Sequence, residues 1–189
     1  PLLDLLVGNS DAAGREVYMR MNGQNEFRSG EDKLSAYING AETSWHRLGL
    51  FAESPPDVAQ VQRIAVSPLP PEEEGAAPPE PLTITRKGSG WSVEGMDDET
   101  VDAQRVDSYL RGILDAEGDN FMPGLSAATA GFSDGTVILE LGNGSSLTIA
   151  VGILPENQKA ATASGSPYVY ALADWTVTRL FREKSYFVK

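Results

Sequence analysis

The sequence predicts an α+β fold built from two related, antiparallel, β-rich halves, each a hairpin-plus-helix unit, with the helices packed on one face. Three observations lead there. Short segments of alternating apolar and polar residues are separated by Gly-rich or Pro-rich turns, the signature of antiparallel strands. One long stripe, Val101, Val106, Tyr109, Leu110, Ile113 and Leu114, recurs at spacings near 3.6 and marks an amphipathic helix. The end of the chain also echoes its beginning.

Taken in order, "PLLDLLVGNSDAAGREVYMRMNG" reads as two strands joined by a polar loop, the second with Val17, Met19 and Met21 alternating against Tyr18, Arg20 and Asn22. In "SGEDKLSAYING" a short helix is expected, with Ser29 as N-cap, acidic residues in the first turn, Leu34, Tyr37 and Ile38 on the apolar side and Gly40 as the stop. Pro55-Pro56-Asp57 then breaks the chain before a strand over Val61 to Val66. "SPLPPEEEGAAPPEP" has no periodic apolar face and is expected to be a long exposed loop whose glutamates serve as a solvating run. "LTITRKGSGWSVEG" is a hairpin about a Gly-Ser-Gly turn. The amphipathic helix is placed at about residues 102 to 116, and "GTVILELGNGSSLTIAVG" is a second hairpin.

The echo can be stated residue by residue. Val7-Gly8 aligns with Val151-Gly152 at an offset of 144; after a loop that differs by two residues, Gly23 falls on Gly165, Phe27 on Val169, Asp32 on Asp174 and Ile38 on Leu180, all at an offset of 142. A duplicated unit of this size is an architectural device, since neither copy buries its apolar faces alone. The predicted organisation is a first half at 1–66, the Pro/Glu-rich loop at 67–81, a hairpin plus main helix at 82–130, and a second half at 131–189 repeating 1–50. The second copy has a strand, Thr136 to Leu141, ahead of its first aligned strand. The matching partner of the first copy is expected upstream of Pro1.

Composition narrows the functions. Fifteen Lys and Arg against 27 Asp and Glu give a formal net charge of −12, so a nucleic-acid partner is not expected. With no cysteine there is no disulfide, thiolate metal site or cysteine nucleophile. No run of about 18 apolar residues is present, and any membrane anchor is expected outside these residues.

Reaction chemistry is hard to find. His46 is the only histidine, too little for a nitrogen-rich metal site or a Ser-His-Asp triad, and it reads as a surface or helix-edge residue. Asp97-Asp98-Glu99 with Asp102 precede the main helix, where negative charge complements the N-terminal dipole, and they lack the ordered spacing of a calcium loop. The turns "RKGSGW" and "GNGSS" lack the Gly-Lys-Ser/Thr ending of a phosphate loop, and no Gly-x-Ser-x-Gly elbow occurs. No catalytic residue, metal or cofactor is assigned.

The order of "LLVGN", "EVYMRM", "SWHRLGL", "VQRIAV", "LTITRKGSGWSVEG", "DAQRVDSYLRGIL" and "YVYALADWTVTRL" resembles the bacterial family catalogued as domain of unknown function 4340. Members of that family generally carry an N-terminal membrane anchor, with the domain outside the cytoplasm, and are often encoded beside ABC-type transport components of the gliding-motility kind. The resemblance implies a non-enzymatic extracytoplasmic accessory or assembly domain with a protein partner in the cell envelope. It transfers no catalytic residue. The competing expectation is a ligand-binding module that captures a glycan or peptide on exposed aromatics, for which Trp45, Trp91, Tyr168, Tyr170 and Trp175 are the candidates; core packing is the simpler use of such residues. A cleft holding two of them with open faces would separate the two readings. An enzyme ranks third.

Overall fold

The computed structural model describes residues 5–13, 15–31, 48–51, 55–73 and 75–189. The chain divides into two compact units, Pro1–His46 and Arg47–Lys189. The fold is α+β, with two antiparallel sheets of three and eight strands.

In the first unit β1 (Leu5–Ser10), β2 (Glu16–Met21) and β3 (Arg28–Glu31) form a meander in the order β1-β2-β3. The β1–β2 loop closes on Asp11, whose carboxylate accepts from the amides of Arg15 and Glu16 at 2.7 and 3.2 Å, an Asx-type turn that only a short acceptor side chain makes. Ser29, expected as a helix N-cap, lies inside β3 opposite Tyr18, so strand pairing uses the backbone that a cap would have needed. The helix expected over Leu34, Tyr37 and Ile38 lies outside the described residues.

The second unit carries the eight-stranded sheet in the order β6-β5-β4-β8-β9-β10-β11-β7. Its strands are β4 (Val61–Ser67), β5 (Leu82–Lys87), β6 (Gly90–Val93), β7 (Asn120–Phe121), β8 (Gly135–Leu141), β9 (Ser146–Ile153), β10 (Lys159–Ala163) and β11 (Tyr170–Leu172). Because β4 pairs with β5 on one side and β8 on the other, it is an inner strand of this sheet. The boundary expected at residue 66 therefore falls inside the second unit, and the division comes earlier, between His46 and Arg47.

Helix α1 (Ala103–Leu114) starts at Asp102, whose side chain accepts from the amides of Gln104 and Arg105, and it buries Val106, Tyr109, Leu110, Ile113 and Leu114. These join Ile64, Ile84, Leu139, Ile149 and Val151 from the sheet, and Leu180 and Phe187 from the C-terminal segment, in one core. The Tyr109 hydroxyl donates to the Leu180 carbonyl at 2.6 Å, and burial pushes its pKa up. Helix α3 (Asp174–Leu180) buries Thr176 and Leu180, while the Arg179 stem lies along α1 at Gly112, where an added Cβ would sit 3.1 Å from Arg179 Cδ. The single-turn helix α2 (Ala127–Ala130) departs from the expected one-sided packing. It leads into Phe132, whose ring covers Gly152 on the face opposite Val151.

The alignment of the two ends of the chain has a counterpart in the hydrogen-bonded registers. In the first meander Leu5, Leu6 and Val7 face Met21, Arg20 and Met19; in the second, Ile149, Ala150 and Val151 face Ala163, Thr162 and Ala161. Those are the same three pairs at offsets 144 and 142, and the match ends there, because β1–β2 shifts register between Val7 and Ser10 while β9–β10 pairs regularly through Gly152 and Ile153. Val17, Tyr18 and Met19 face Gly30, Ser29 and Arg28, and Lys159, Ala160 and Ala161 face Leu172, Ala171 and Tyr170, again the same pairs. Gly23 and Gly165 both adopt the left-handed region, with φ of 80° and 82°. The turn bonds match as well: Gln24 N to Met21 O at 3.0 Å, and Ser166 N to Ala163 O at 3.1 Å.

Candidate functional site

The strand β10 opens with Lys159, opposite Ile153 on one side and Leu172 on the other. Directly opposed residues share a face, so Lys159 projects from the core face of the sheet at its rim. Its counterpart in the first meander is Val17, which is fully buried. Only 8 % of the lysine side chain is exposed, and an ammonium this buried must be paired.

The pairing is specific. Lys159 Nζ lies 2.7 Å from Glu72 Oε1 and 3.9 Å from Asp174 Oδ1. Asn157 Nδ2 donates to the same Glu72 oxygen at 3.3 Å. Glu72 comes from the Pro/Glu-rich loop and Asp174 from the first turn of α3, so the lysine ties three segments together. The hydrogen bond from Lys159, then that from Asn157 and then the charge of Lys159 hold the Glu72 carboxyl below the ordinary glutamate range. Glu72, expected to be part of a solvating run, is thus a ligand of a buried cation.

Asn157 is positioned at a local cost. It and Glu156 both sit in the left-handed region, φ 59° and 62°, inside the short turn Pro155–Asn157 that joins β9 to β10. Asn tolerates this region better than most residues, while Glu156 costs on the order of 1 kcal/mol there. A cleft of about 510 Å³ opens beside these groups, with Leu69, Ile153 and Val177 on its apolar wall. One ammonium and three carboxylates, those of Glu72, Glu156 and Asp174, give the cleft a formal charge of −2. Chemically, two N–H donors converge on one oxygen of Glu72, a carboxylate supplied by the chain itself.

The sequence pointed elsewhere, to aromatics. Trp91 is buried: its ring lies under the Arg86 guanidinium at 4.1 Å and its Nε1 donates to Asp107 at 3.1 Å, locking β6 to α1. Tyr170 is buried in the core, its hydroxyl 2.7 Å from Ser166 Oγ. Tyr168 is partly exposed at the edge of Phe121, and Trp175 is 58 % exposed beside Arg179. Trp45 and His46 lie outside the described residues. Neither the Ser126–Pro167 cleft, nor that beside Lys159, nor that between Lys87 and Ala103 holds two of these aromatics, and among the described residues no group of three His, Cys, Asp or Glu stands close enough to hold a metal.

Sequence reasoning passed over Lys159, yet a signal was present. At offset 142 it falls on Val17, an inward apolar position, and a lysine standing where a copy has buried valine needs a partner. No protein-family model, curated protein or solved structure matches the chain.

Proposed function

We propose that this chain is a non-enzymatic accessory or assembly domain that binds other polypeptides outside the cytoplasm, in a membrane-anchored protein linked to an ABC-type envelope transport system. The location and the transport link rest on the resemblance to domain of unknown function 4340. The binding role rests on one observation: Lys159 and Asn157 converge on the carboxylate of Glu72, which belongs to an extended Pro/Glu-rich loop. The loop occupies in cis what an acidic, proline-rich segment of a partner would occupy in trans. The groups around Lys159 are carboxylates, an amide and apolar walls, an arrangement suited to holding a ligand. Capture on aromatics is the weaker reading, because Trp91 and Tyr170 are spent on the core.

The test is a synthetic peptide of residues 68 to 81 offered to the full chain and to its Glu72→Gln variant. With the internal carboxylate neutralised, the variant should bind the peptide at least tenfold more tightly than the parent chain, and Lys159→Met should abolish the gain. Equal affinity for the two chains, or no binding to either, overturns the reading.

A further inference from the structure

Charge is unevenly spread along this chain. Residues 103–114, which form α1, and residues 174–189, from α3 to the C-terminus, carry six Lys and Arg against three Asp and Glu, a side-chain charge of +3. The whole chain carries −12, which leaves −15 for its other 161 residues. Two of the three acids are spent on other faces: Asp107 accepts the Trp91 indole and Asp174 stands by Lys159, while Glu183 is exposed. Among the cations, Lys184 is held by Glu80 at 2.9 Å.

Aromatic rings set three more of these cations in place. Tyr186 is shared by two guanidinium groups, Arg105 at 5.7 Å and Arg182 at 5.0 Å from its ring centroid. Arg105 is fixed further, donating to the Tyr186 and Val188 carbonyls at 3.0 and 3.3 Å and lying 3.7 Å from Asp102. One turn apart on α3, Arg179 stands 5.5 Å over the ring of Trp175, and its stem crosses α1 at Gly112, where the missing Cβ leaves it room. Among the described residues no carboxylate stands within ion-pairing distance of Arg179 or Arg182, and neither guanidinium donates a hydrogen bond to the protein. Both are reachable from solvent: Arg179 is exposed and Arg182 half-buried.

We infer that this face, Arg105, Arg182 and Tyr186 with Arg179 and Trp175, docks an extended acidic segment of a partner polypeptide. Stacking uses the flat of a guanidinium and leaves its N–H edge free to take a carboxylate. Because Arg105 and Arg182 share one ring, their charges are no further apart than the sum of their two distances to it, a reach that about three residues of extended chain span at roughly 3.3 Å each. The chain already shows the pairing in cis, where Glu80 of its own Pro/Glu-rich loop takes Lys184. With −15 on the rest of the chain, this face is a positive island, and a narrow acidic peptide reaches it without bringing the other faces against a broad anionic surface. The site is separate from the Lys159 cleft: α3 turns Asp174, Val177 and Thr178 toward that cleft and Trp175 and Arg179 toward this face.

The probe is a hexaglutamate peptide with blocked ends, titrated into the full chain at low salt and followed by NMR of the arginine Nε–H and tryptophan indole signals. The Arg105, Arg182 and Arg179 signals and that of Trp175 should move together, and hexaglutamine should move none of them. Affinity should fall about tenfold in Arg182→Gln and by a smaller factor in Arg179→Gln and in Arg182→Lys, which keeps the charge and loses the fork. Arg105 is left intact because its carbonyl bonds hold the C-terminus. Lys87→Gln, the same loss of charge at an exposed position on β5, should leave the affinity unchanged, and so should Lys159→Met, which separates this site from the Lys159 cleft. No shift at millimolar peptide, or an equal loss in Lys87→Gln, overturns the inference. Tighter binding of the same arginines to vesicles rich in phosphatidylglycerol than to the peptide overturns it too, since the occupant would then be a membrane surface. Dimerisation that occurs without peptide and is abolished by Arg182→Gln would make the occupant a second copy and refute the partner segment.

Discussion

At the scale of single residues, the chain's most consequential choice is a lysine at the register position that buried Val17 holds in the first meander. Burying an ammonium is costly, and exchanging an ion pair for apolar packing is often neutral or stabilising, so the Lys159–Glu72 pair is weak evidence of stability for its own sake. What it does is fix Glu72, and with it the 67–81 loop, to the rim of the sheet; Lys184 holds the far end of the loop through Glu80 at 2.9 Å. The pH dependence follows from the direction of the shift. Glu72's carboxyl is depressed in the folded protein by the Lys159 hydrogen bond, so its contribution is present above the unfolded glutamate pKa and disappears as pH falls through the folded value. The gap in denaturant midpoint between the parent chain and Glu72→Gln should hold steady from neutral pH down to about 4.3 and then close in more acidic buffer. A gap that stays constant down to pH of about 2 would show that the pair carries no such linkage. Added salt should also narrow it, because Glu72 is largely exposed.

At the scale of elements, packing against glycine is what fixes the second meander. Gly152→Ala would drive a methyl group into the Phe132 ring, a rigid obstacle on a strand with partners on both sides. Such overpacking costs about 1–3 kcal/mol. Truncating the ring in the same background should recover part of that loss, so a double-mutant cycle of Gly152→Ala with Phe132→Ala should show a coupling of roughly 1 kcal/mol or more. Additive effects would mean the two do not meet. Elements with a strong local period were legible in the sequence: the Gly88 hairpin, the stripe of α1 and the strands flanking Gly144 all stand close to where alternation and spacing put them. What was illegible depends on contacts distant in sequence. β7 is two residues long, too short for any period, and exists because Asn120 and Phe121 meet Ala171 and Tyr170. The site was hidden for the same reason. "NQKAATA" shows no functional motif, and Lys159 gains meaning only when Glu72 arrives from 87 residues away. Trp91 looked available because its two satisfying groups, Arg86 above the ring and Asp107 on α1, are assembled only by the fold.

At the scale of the whole molecule, the core cluster of the described residues lies within one unit. Its members run from Leu50 to Phe187, all within Arg47–Lys189. The sheet is stitched through its middle by β4 on β8, so the early hairpin and the late strands depend on one long-range pairing. The C-terminus then closes over the start of α1. The Asp102 amide donates to Phe187 O at 2.8 Å, Arg105 reaches the carbonyls of Tyr186 and Val188, and Lys189 N donates to Thr100 O at 3.0 Å. A domain of about 150 residues buries close to 70 % of the surface its unfolded chain exposes, enough for independent stability. Residues 47 to 189 expressed alone should therefore unfold in a single cooperative step, with a urea slope of about 1–3 kcal/mol/M and a near-ultraviolet signal from the fixed Trp91 ring. The first unit is different in kind. Val17 is the fully buried apolar residue of its described strands, and a three-stranded meander with so little burial is marginal on its own. Residues 1 to 46 expressed alone should give a broad, non-cooperative melt. A cooperative melt of that fragment, or a non-cooperative one for residues 47 to 189, would show that folding is not divided between the units in this way.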